Sequence, residues 1–340
     1  MSKRVSLNDL AEALGLSKTL VSMVMNGKGD DIKISKVTQK RVLEKAKQLN
    51  YTPNQFARGL RMGRSQTIGL IVPDISNQFY SRIARVMEED LSKHNYRLLI
   101  CSSEENADKE NELIRMLQDR AAEGIVLAST QKTAKDLVEH KKNNYPLVLI
   151  DREFADEKFD SVCVENREGA IKVAEHLIKA GHKRIALFNI TPAFISPLSE
   201  RIEGFAEALK RKNIKQSKEL VCEIPFNNVE DEVVKQLKKL LFPFKKIDAI
   251  FTLNNNLAVA VLKTLRKMKI NIPNDVALCS FDDIAAFEIT SPSVTAIAQP
   301  VDEIGKVAVK KMLARLENKD KETKPHPEHL PVKLILRESC

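Results

Sequence analysis

The sequence predicts two structurally different parts: a short all-α domain at the N-terminus and a longer α/β core built from two similar lobes. Apolar residues in the first 52 positions follow only a helical period. From Thr67 onward, short apolar runs alternate with amphipathic stretches, as buried parallel strands alternate with helices. These elements are too numerous for one compact sheet, so we expect two lobes.

Charge is distributed unevenly along the 340 residues, a length that suits two or three domains. Residues 1–65 hold thirteen Lys and Arg against five Asp and Glu, so this segment carries +8 of the net charge of +9. Basic charge confined to a short module favours a polyanionic partner for that module. A solvated charged face with no such partner is the alternative.

The five cysteines are scattered and include no Cys-x-x-Cys pair, which is typical of reduced thiols rather than a disulfide frame. No apolar run near the N-terminus resembles a signal peptide, and none approaches the length of a membrane span. We therefore expect a cytoplasmic protein with no membrane partner.

Residues 1–52 predict three helices. Ser6 can cap the first, Gly15 permits the left-handed turn that ends it, and Ser17 can cap a second over Lys18 to Met25. The third is expected over residues 38–49. The spacing of Ala11, Gly15 and Val21 suits two helices that cross steeply, so we predict a helix-turn-helix headpiece. A structural bundle without a nucleic-acid partner is the alternative.

Residues 53–65 form a basic connector. Asn54 can cap a short helix from Gln55 to about Arg61, and a helix this short is marginal in water by itself. We therefore predict a hinge at 53–65 and a two-lobed core over 66–340. A plain flexible linker is the alternative for the connector.

The apolar runs of the core predict buried strands, and polar side chains follow several of them. The strands are expected at 68–72, 98–101, 125–127, 147–150, 185–188, 249–251, 276–281 and 295–298. The first series is expected to end near Asp151, and the second to begin near Asn166 with a helix over 167–179. Polar groups at strand ends can bind sugar hydroxyls, since open α/β sheets bind ligands there. The candidates for such an effector site are Asn77, Phe79, Asp151, Arg152, Arg201, Asn254, Asp282 and Gln299, each of them a weak signal by itself.

No pattern of residues supports catalysis. The six histidines fall on predicted helix surfaces or tail loops, and no glycine-rich nucleotide fingerprint is present. Asp282 and Asp283 form a poor metal site without further ligands. We expect no enzymatic activity, cofactor or metal. Two other classes of protein stay open: a sugar-binding transport protein, and an α/β enzyme with a fused helical domain.

Two segments, RVSLNDLAEALGLSKTLVSMVMNGKG and VTQKRVLEKAKQLNYTPNQFARGLRMGRSQTIGLIVPDISNQFY, closely resemble the lactose/galactose-repressor (LacI/GalR) family. The resemblance continues to LPVKLILRES near the C-terminus. It implies a headpiece whose second helix enters the DNA major groove, a hinge that folds on DNA, and a core like periplasmic sugar-binding proteins. It also implies that Leu60 wedges into the minor groove. The resemblance further implies that the eight effector candidates form one sugar pocket, with Phe79 as the stacking ring. The implied DNA-binding residues are Ser6, Ser17, Lys18, Thr19, Ser22, Met23, Asn26, Asn54, Arg58, Leu60 and Arg61.

The sequence departs from the family pattern in four places. Met23 replaces the usual arginine, about three extra residues lie within 27–34, Gln78 replaces a common proline, and Asn255 replaces the usual aspartate. A thioether cannot donate a hydrogen bond to guanine, so the base preference near Met23 is expected to differ. The extra loop is expected to be a spacer, with phosphate contacts through Lys28 or Lys33 as the alternative.

We therefore predict a homodimeric, DNA-binding transcriptional repressor of carbohydrate-utilisation genes. A small sugar-type effector is expected to control its affinity for operator DNA by allostery. The alternative is that a sugar acid, sugar phosphate or purine acts as co-repressor.

Overall fold

The computed structural model describes residues 5–51, 65–244, 247–318 and 324–340. Contacts divide the chain into two units, Met1–Ser65 and Gln66–Cys340, which are described separately below.

Residues 5–51, the described part of the first unit, contain three helices: α1 (Leu7–Leu14), α2 (Lys18–Met25) and α3 (Lys36–Gln48). The predicted caps are present. Ser6 and Asp9 form a reciprocal capping box, Gly15 is left-handed at φ 65°, and the Ser17 hydroxyl accepts from Leu20 N. The third helix begins at Lys36 rather than at the predicted residue 38, because Ser35 caps it by accepting from Thr38 N.

The three helices enclose a small apolar core of side chains that are nearly or fully buried. Its buried members are Leu10, Ala11, Leu14, Val21, Val24, Val42 and Ala46. Arg41 of α3 donates a 3.0 Å hydrogen bond to the Leu14 carbonyl at the end of α1. Apolar packing and this bond together fix the angle between the first and third helices.

The described residues of the second unit form two six-stranded sheets, which confirms the predicted two-lobed α/β core. The strands of the first sheet are β1 (Thr67–Val72), β2 (Arg97–Ser102), β3 (Gly124–Leu127), β4 (Leu147–Ile150), β5 (Asp160–Val164) and β11 (Pro327–Leu330). Those of the second are β6 (Ile185–Thr191), β7 (Val221–Pro225), β8 (Ala249–Thr252), β9 (Ala277–Phe281), β10 (Thr295–Ala298) and β12 (Lys333–Ile335). The first sheet has the order β11-β5-β4-β3-β1-β2, and the second has the order β12-β10-β9-β8-β6-β7. Neighbouring strands are parallel except β10 and β12.

Helices connect these strands. They are α4 (Gln78–Lys93), α5 (Ala107–Asp119), α6 (Lys135–Lys142), α7 (Asn166–Lys179), α8 (Ser196–Arg211), α9 (Val229–Leu241), α10 (Asn255–Lys267), α11 (Ala286–Ile289) and α12 (Val301–Glu317). The identical strand orders make β1, β3 and β4 the counterparts of β6, β8 and β9.

The expectation that the first lobe ends near Asp151 is wrong. Strand β5 extends the first sheet, and the chain later returns to pair β11 with β5 and to pack α12 against α4. Gly305 permits that packing, since a Cβ there would lie 2.8 Å from Cγ1 of Val86. The returning elements carry too little local pattern to reveal which lobe they join.

Strands β5, β7, β11 and β12 were not predicted. β7 lies at a sheet edge and alternates between buried and exposed residues, so it lacks the continuous apolar run used as the signal. His329, expected on a helix surface or in a tail loop, lies in β11. Among the described residues, no helix combines the length and apolar character needed to cross a membrane.

Candidate DNA-binding and effector sites

Helix α2 presents the side chains expected to contact DNA. Lys18 and Thr19 are exposed on its first turn, while Ser22 and Met23 are half-buried. The Ser17 oxygen accepts from Leu20 N at 3.2 Å, which leaves the hydroxyl hydrogen available for a phosphate oxygen. This end of the helix therefore offers donors and a positive charge on one exposed surface.

Asn26 ends α2 and fixes Ser22. Its Nδ2 donates to the Ser22 carbonyl at 2.7 Å and to the Ser22 hydroxyl at 3.3 Å. The Ser22 hydroxyl therefore keeps its own hydrogen for donation to another acceptor.

The extra loop before α3 is closed by side-chain bonds. Asp30 accepts from Lys36 Nζ at 2.7 Å and from Gln39 Nε2 at 2.8 Å, and the same Gln39 nitrogen donates to the Ile34 carbonyl. Gly29 lies against Gln39 so closely that a Cβ would be 2.5 Å from its Cδ. Lys28 and Lys33 are exposed on this loop. The predicted hinge residues Asn54, Arg58, Leu60 and Arg61 lie outside the described residues.

A cleft of about 550 Å³ in the second unit is lined by residues from both lobes. All eight residues of the predicted effector site line it: Asn77, Phe79, Asp151, Arg152, Arg201, Asn254, Asp282 and Gln299. Seven of them follow the carboxyl ends of parallel strands, which meet at a shared edge, whereas Arg201 reaches the cleft from within α8.

Two aspartates occupy equivalent positions in the two lobes. Asp151 follows β4 at φ 63° and Asp282 follows its counterpart β9 at φ 70°. A left-handed conformation is uncommon for residues other than glycine and is often found where the surroundings hold a functional group in place. Both carboxylates are nearly buried and face the same cleft.

Asp151 and Arg152 are held by partners that the sequence did not reveal. Tyr80 Oη donates to Asp151 Oδ2 at 2.7 Å, and Arg152 forms a two-bond pair with Glu105 at 2.9 and 2.5 Å. Arg152 Nη1 also donates to the Ser129 carbonyl. Burial raises the pKa of Tyr80 well above its ordinary value, so its hydroxyl stays protonated as a donor.

Arg201 is buried in the second lobe. Its Nε donates to Asn166 Oδ1 at 2.9 Å, its Nη1 donates to the Leu253 carbonyl at 2.7 Å, and its guanidinium lies 3.6 Å from the centre of the Phe281 ring. These contacts lock its orientation and place a fixed positive charge at the cleft.

Asp282 accepts a 2.5 Å hydrogen bond from Gln299 Nε2. Burial raises the pKa of Asp282 above its ordinary value, although the charge of Arg201 and the hydrogen bond from Gln299 each lower it. The carboxylate therefore depends on its neighbours to remain ionised.

The two lobes are joined across the cleft by Asn255, which donates a 3.0 Å hydrogen bond from Nδ2 to Asn77 Oδ1. Asn254, the preceding residue, caps α10 by accepting from Leu257 N. Asn255 is therefore not the cap of this helix, and its amide is available for the contact with Asn77.

The sequence-based prediction of the site missed further lining residues, among them Tyr80, Glu105, Phe226 and Asn256. Glu105 follows β2, so the strand-end argument used for Asp151 could have found it. Tyr80 lies in the first turn of α4, and it is so far from Asp151 along the chain that the sequence gives no sign of their contact.

Comparison with known proteins gives independent support to this architecture. Residues 6–54 match the family "Bacterial regulatory proteins, lacI family", and residues 174–340 match a periplasmic binding protein-like domain. The ribose operon repressor of Halalkalibacterium halodurans is 31% identical over 98% of this chain and 96% of its own length.

Two solved structures agree in fold. A LacI family regulator from Enterococcus faecium with bound ribose has a TM-score of 0.70 and 29% identity, covering 80% of this chain and 98% of that chain. The Lac repressor dimer bound to operator and an anti-inducer has a TM-score of 0.81 at 20% identity and covers 99% of both chains, a likeness of fold. This chain belongs to the LacI family of bacterial regulatory proteins and is a DNA-binding transcriptional regulator.

Proposed function

We propose that this regulator is a repressor whose operator affinity is lowered when a small neutral sugar binds between the lobes. The observation that carries the proposal is that eight dispersed residues, predicted as a sugar site from the sequence and the family resemblance, line a single cleft.

The charges around the cleft favour a neutral polyhydroxyl compound over a sugar acid or sugar phosphate. Arg152 is already neutralised by Glu105, which leaves Arg201 as the strongest attraction for an anion. Asp151, Asp282 and Asp74 also line the cleft and would repel one. Sugar hydroxyls both donate and accept, so they can pair with carboxylates and guanidinium groups together. Two similar proteins agree with this class of ligand: one is named a ribose operon repressor, and the structure of the other contains bound ribose.

The headpiece supports recognition of double-stranded DNA. Exposed Lys18 and Thr19 lie beside the Ser17 cap, where α2 would meet bases and phosphates. The wedge role of Leu60 rests on the family resemblance. Effector binding would alter the lobe angle and thereby bias DNA binding, with a coupling of about 1–3 kcal/mol.

Self-association is supported by the first sheet. Its edge strand β2 carries Leu99 and Ile100, which are 38% and 45% exposed. Exposed apolar side chains on an unpaired sheet edge favour contact with another chain, which we propose is a second copy. Sedimentation of a Leu99→Asp, Ile100→Asp variant tests this, with monomers expected. A stable dimer from that variant would place the interface elsewhere.

The test of the proposed function combines two measurements on the full chain. A thermal-shift screen of pentoses, hexoses, sugar acids and sugar phosphates should show stabilisation by a neutral sugar. The same sugar should lower operator affinity about 5–150-fold. Stabilisation only by acids or phosphates would reject the neutral-sugar class, and unchanged operator binding would reject control by the cleft.

DNA recognition has its own test. Leu60→Ala should weaken specific operator binding far more than nonspecific binding, and operator affinity should fall steeply as salt rises, because phosphate contacts release counterions. An equal loss on both DNAs would remove the wedge role, and a flat salt titration would contradict phosphate binding by the basic headpiece.

A further inference from the structure

A cysteine, a histidine and a glutamate converge near the junction of the two lobes, outside the set assigned to the effector. Cys163 of β5 and His329 of β11 are directly opposite each other in the strand register. Opposed residues on neighbouring parallel strands project to the same face of a sheet. Glu153 follows β4, the other neighbour of β5, and its Oε1 lies 3.0 Å from His329 Nε2. One ligand-type atom from each residue lies within 4.8 Å of the others.

The glutamate is oriented by two further contacts. Ser161, two residues before Cys163 on the same face of β5, donates to Glu153 Oε2 at 3.4 Å. The Glu153 backbone nitrogen donates to Ser196 Oγ at 3.0 Å. Such outer contacts commonly fix the ligands of metal sites.

The electrostatic surroundings favour a cation. The carboxylates of Glu153, Asp151 and Glu200 act electrostatically on the Cys163 thiol. The carboxylates that disfavour a bare thiolate would favour a divalent ion beside it.

We infer that Glu153, Cys163 and His329 form a binding site for a divalent transition metal of the zinc class. Thiolate, imidazole and carboxylate are ligands that Zn²⁺ accepts together, and three protein ligands leave one position for water. On binding, the Cys163 thiol releases its proton to solvent as the sulfur–metal bond forms. His329, whose side chain is 43% exposed, provides access from solvent.

The site includes residues of two strands, β5 and β11, from which the chain passes into the second lobe. Strand β5 leads directly into α7 of the second lobe, and β11 leads into β12 of the second sheet. A bound metal would tie both connections to the turn Asp151–Arg152–Glu153, whose first two residues line the effector cleft. The sequence predicted no metal site, because these ligands are far apart along the chain and form no spacing motif.

Cobalt titration of the untagged full chain tests the inference. Co²⁺ should bind at one equivalent with a thiolate-to-cobalt charge-transfer absorption, and Cys163→Ser and His329→Gln should each reduce that absorption at least about tenfold. The matched control is Cys340→Ser, which removes a thiol near His176 and Cys279 and should leave the absorption unchanged. Absence of the absorption from the wild-type chain, or its persistence in Cys163→Ser and His329→Gln, would overturn the site. Loss in Cys340→Ser alone would place the metal elsewhere and overturn it as well.

A stability measurement separates metal binding from misfolding of a variant. Zn²⁺ should raise the melting temperature of the wild-type chain, since a ligand of the native state stabilises it by mass action. His329→Gln changes an exposed side chain, so it should melt like the wild-type chain without metal and lose the response to Zn²⁺. An equal response in both proteins would contradict the inference.

Discussion

Asn255 donates a 3.0 Å hydrogen bond to Asn77 across the cleft, so that one side-chain amide links the second lobe to the first. Asn77 Oδ1 also accepts from Phe79 N, which places this link at the first turn of α4. An aspartate at 255 could not donate this bond.

Asn255→Asp should therefore loosen the first turn of α4. The substitution removes the donor and places a carboxylate against Asn77 Oδ1. It should lower the local stability of this turn by about 1 kcal/mol, and amide hydrogen exchange at residues 77–81 should become about fivefold faster. The matched control is Asn256→Asp, the same change one residue later, which should leave this exchange near the wild-type rate. Equal exchange in all three proteins would show that the cross-lobe bond contributes nothing.

Arg201→Ala should remove both the sugar response and part of the stability. Arg201 is buried and bonded to Asn166 and Leu253, so its removal leaves two acceptors without their donor and should cost about 3 kcal/mol in the free energy of unfolding. Urea denaturation measures this cost. The control Arg211→Ala, on the same helix but exposed, should cost less than about 1 kcal/mol. Similar losses in the two variants would contradict the structural role of Arg201.

Two adjacent aspartates should respond in opposite ways to the same substitution. Asp282→Asn should stabilise the ligand-free core by up to about 1 kcal/mol, because a buried carboxylate with a raised pKa becomes a neutral amide that can still accept from Gln299. Asp283→Asn should destabilise it by about 1–3 kcal/mol, because Asp283 accepts two 2.8 Å bonds from Arg337.

The pH dependence of Asp282→Asn has a defined sign. A raised folded-state pKa gives the wild-type protein a stability contribution that is present below the ordinary carboxyl pKa and is lost as pH rises through the folded-state value. The advantage of the variant in thermal melting should therefore grow with rising pH. An advantage that shrinks as pH rises would show the opposite shift.

Cys340 should be the most reactive of the described thiols. Its pKa is lowered to about 6, chiefly by the hydrogen bond with Cys279, whereas burial raises the pKa of Cys222 to about 12. Iodoacetamide labelling of Cys340, followed by peptide mapping, should reach half its maximal rate near pH 6, because the thiolate is the nucleophile. Cys279→Ala should move this midpoint to higher pH. Labelling of Cys340 that begins only near the ordinary thiol pKa would refute the lowered value.

Local patterns in the sequence were enough to predict the headpiece helices, the caps at Ser6 and Ser17, the left-handed Gly15 and most buried strands. Periodicity and capping act over a few residues, so their signals are contained in short stretches of chain. The strand-end rule, together with the family resemblance, also identified eight residues that line one cleft, since parallel sheets bring their carboxyl ends to a common edge.

Tertiary structure alone decided which distant residues meet. The return of α12 and β11 to the first lobe, the pairing of Arg152 with Glu105, the Asn255–Asn77 bond and the convergence of Cys163 with His329 all join residues far apart in sequence. Such contacts depend on how strands are ordered and how lobes approach. That arrangement is set by packing of the whole core, so no short stretch of sequence contains it.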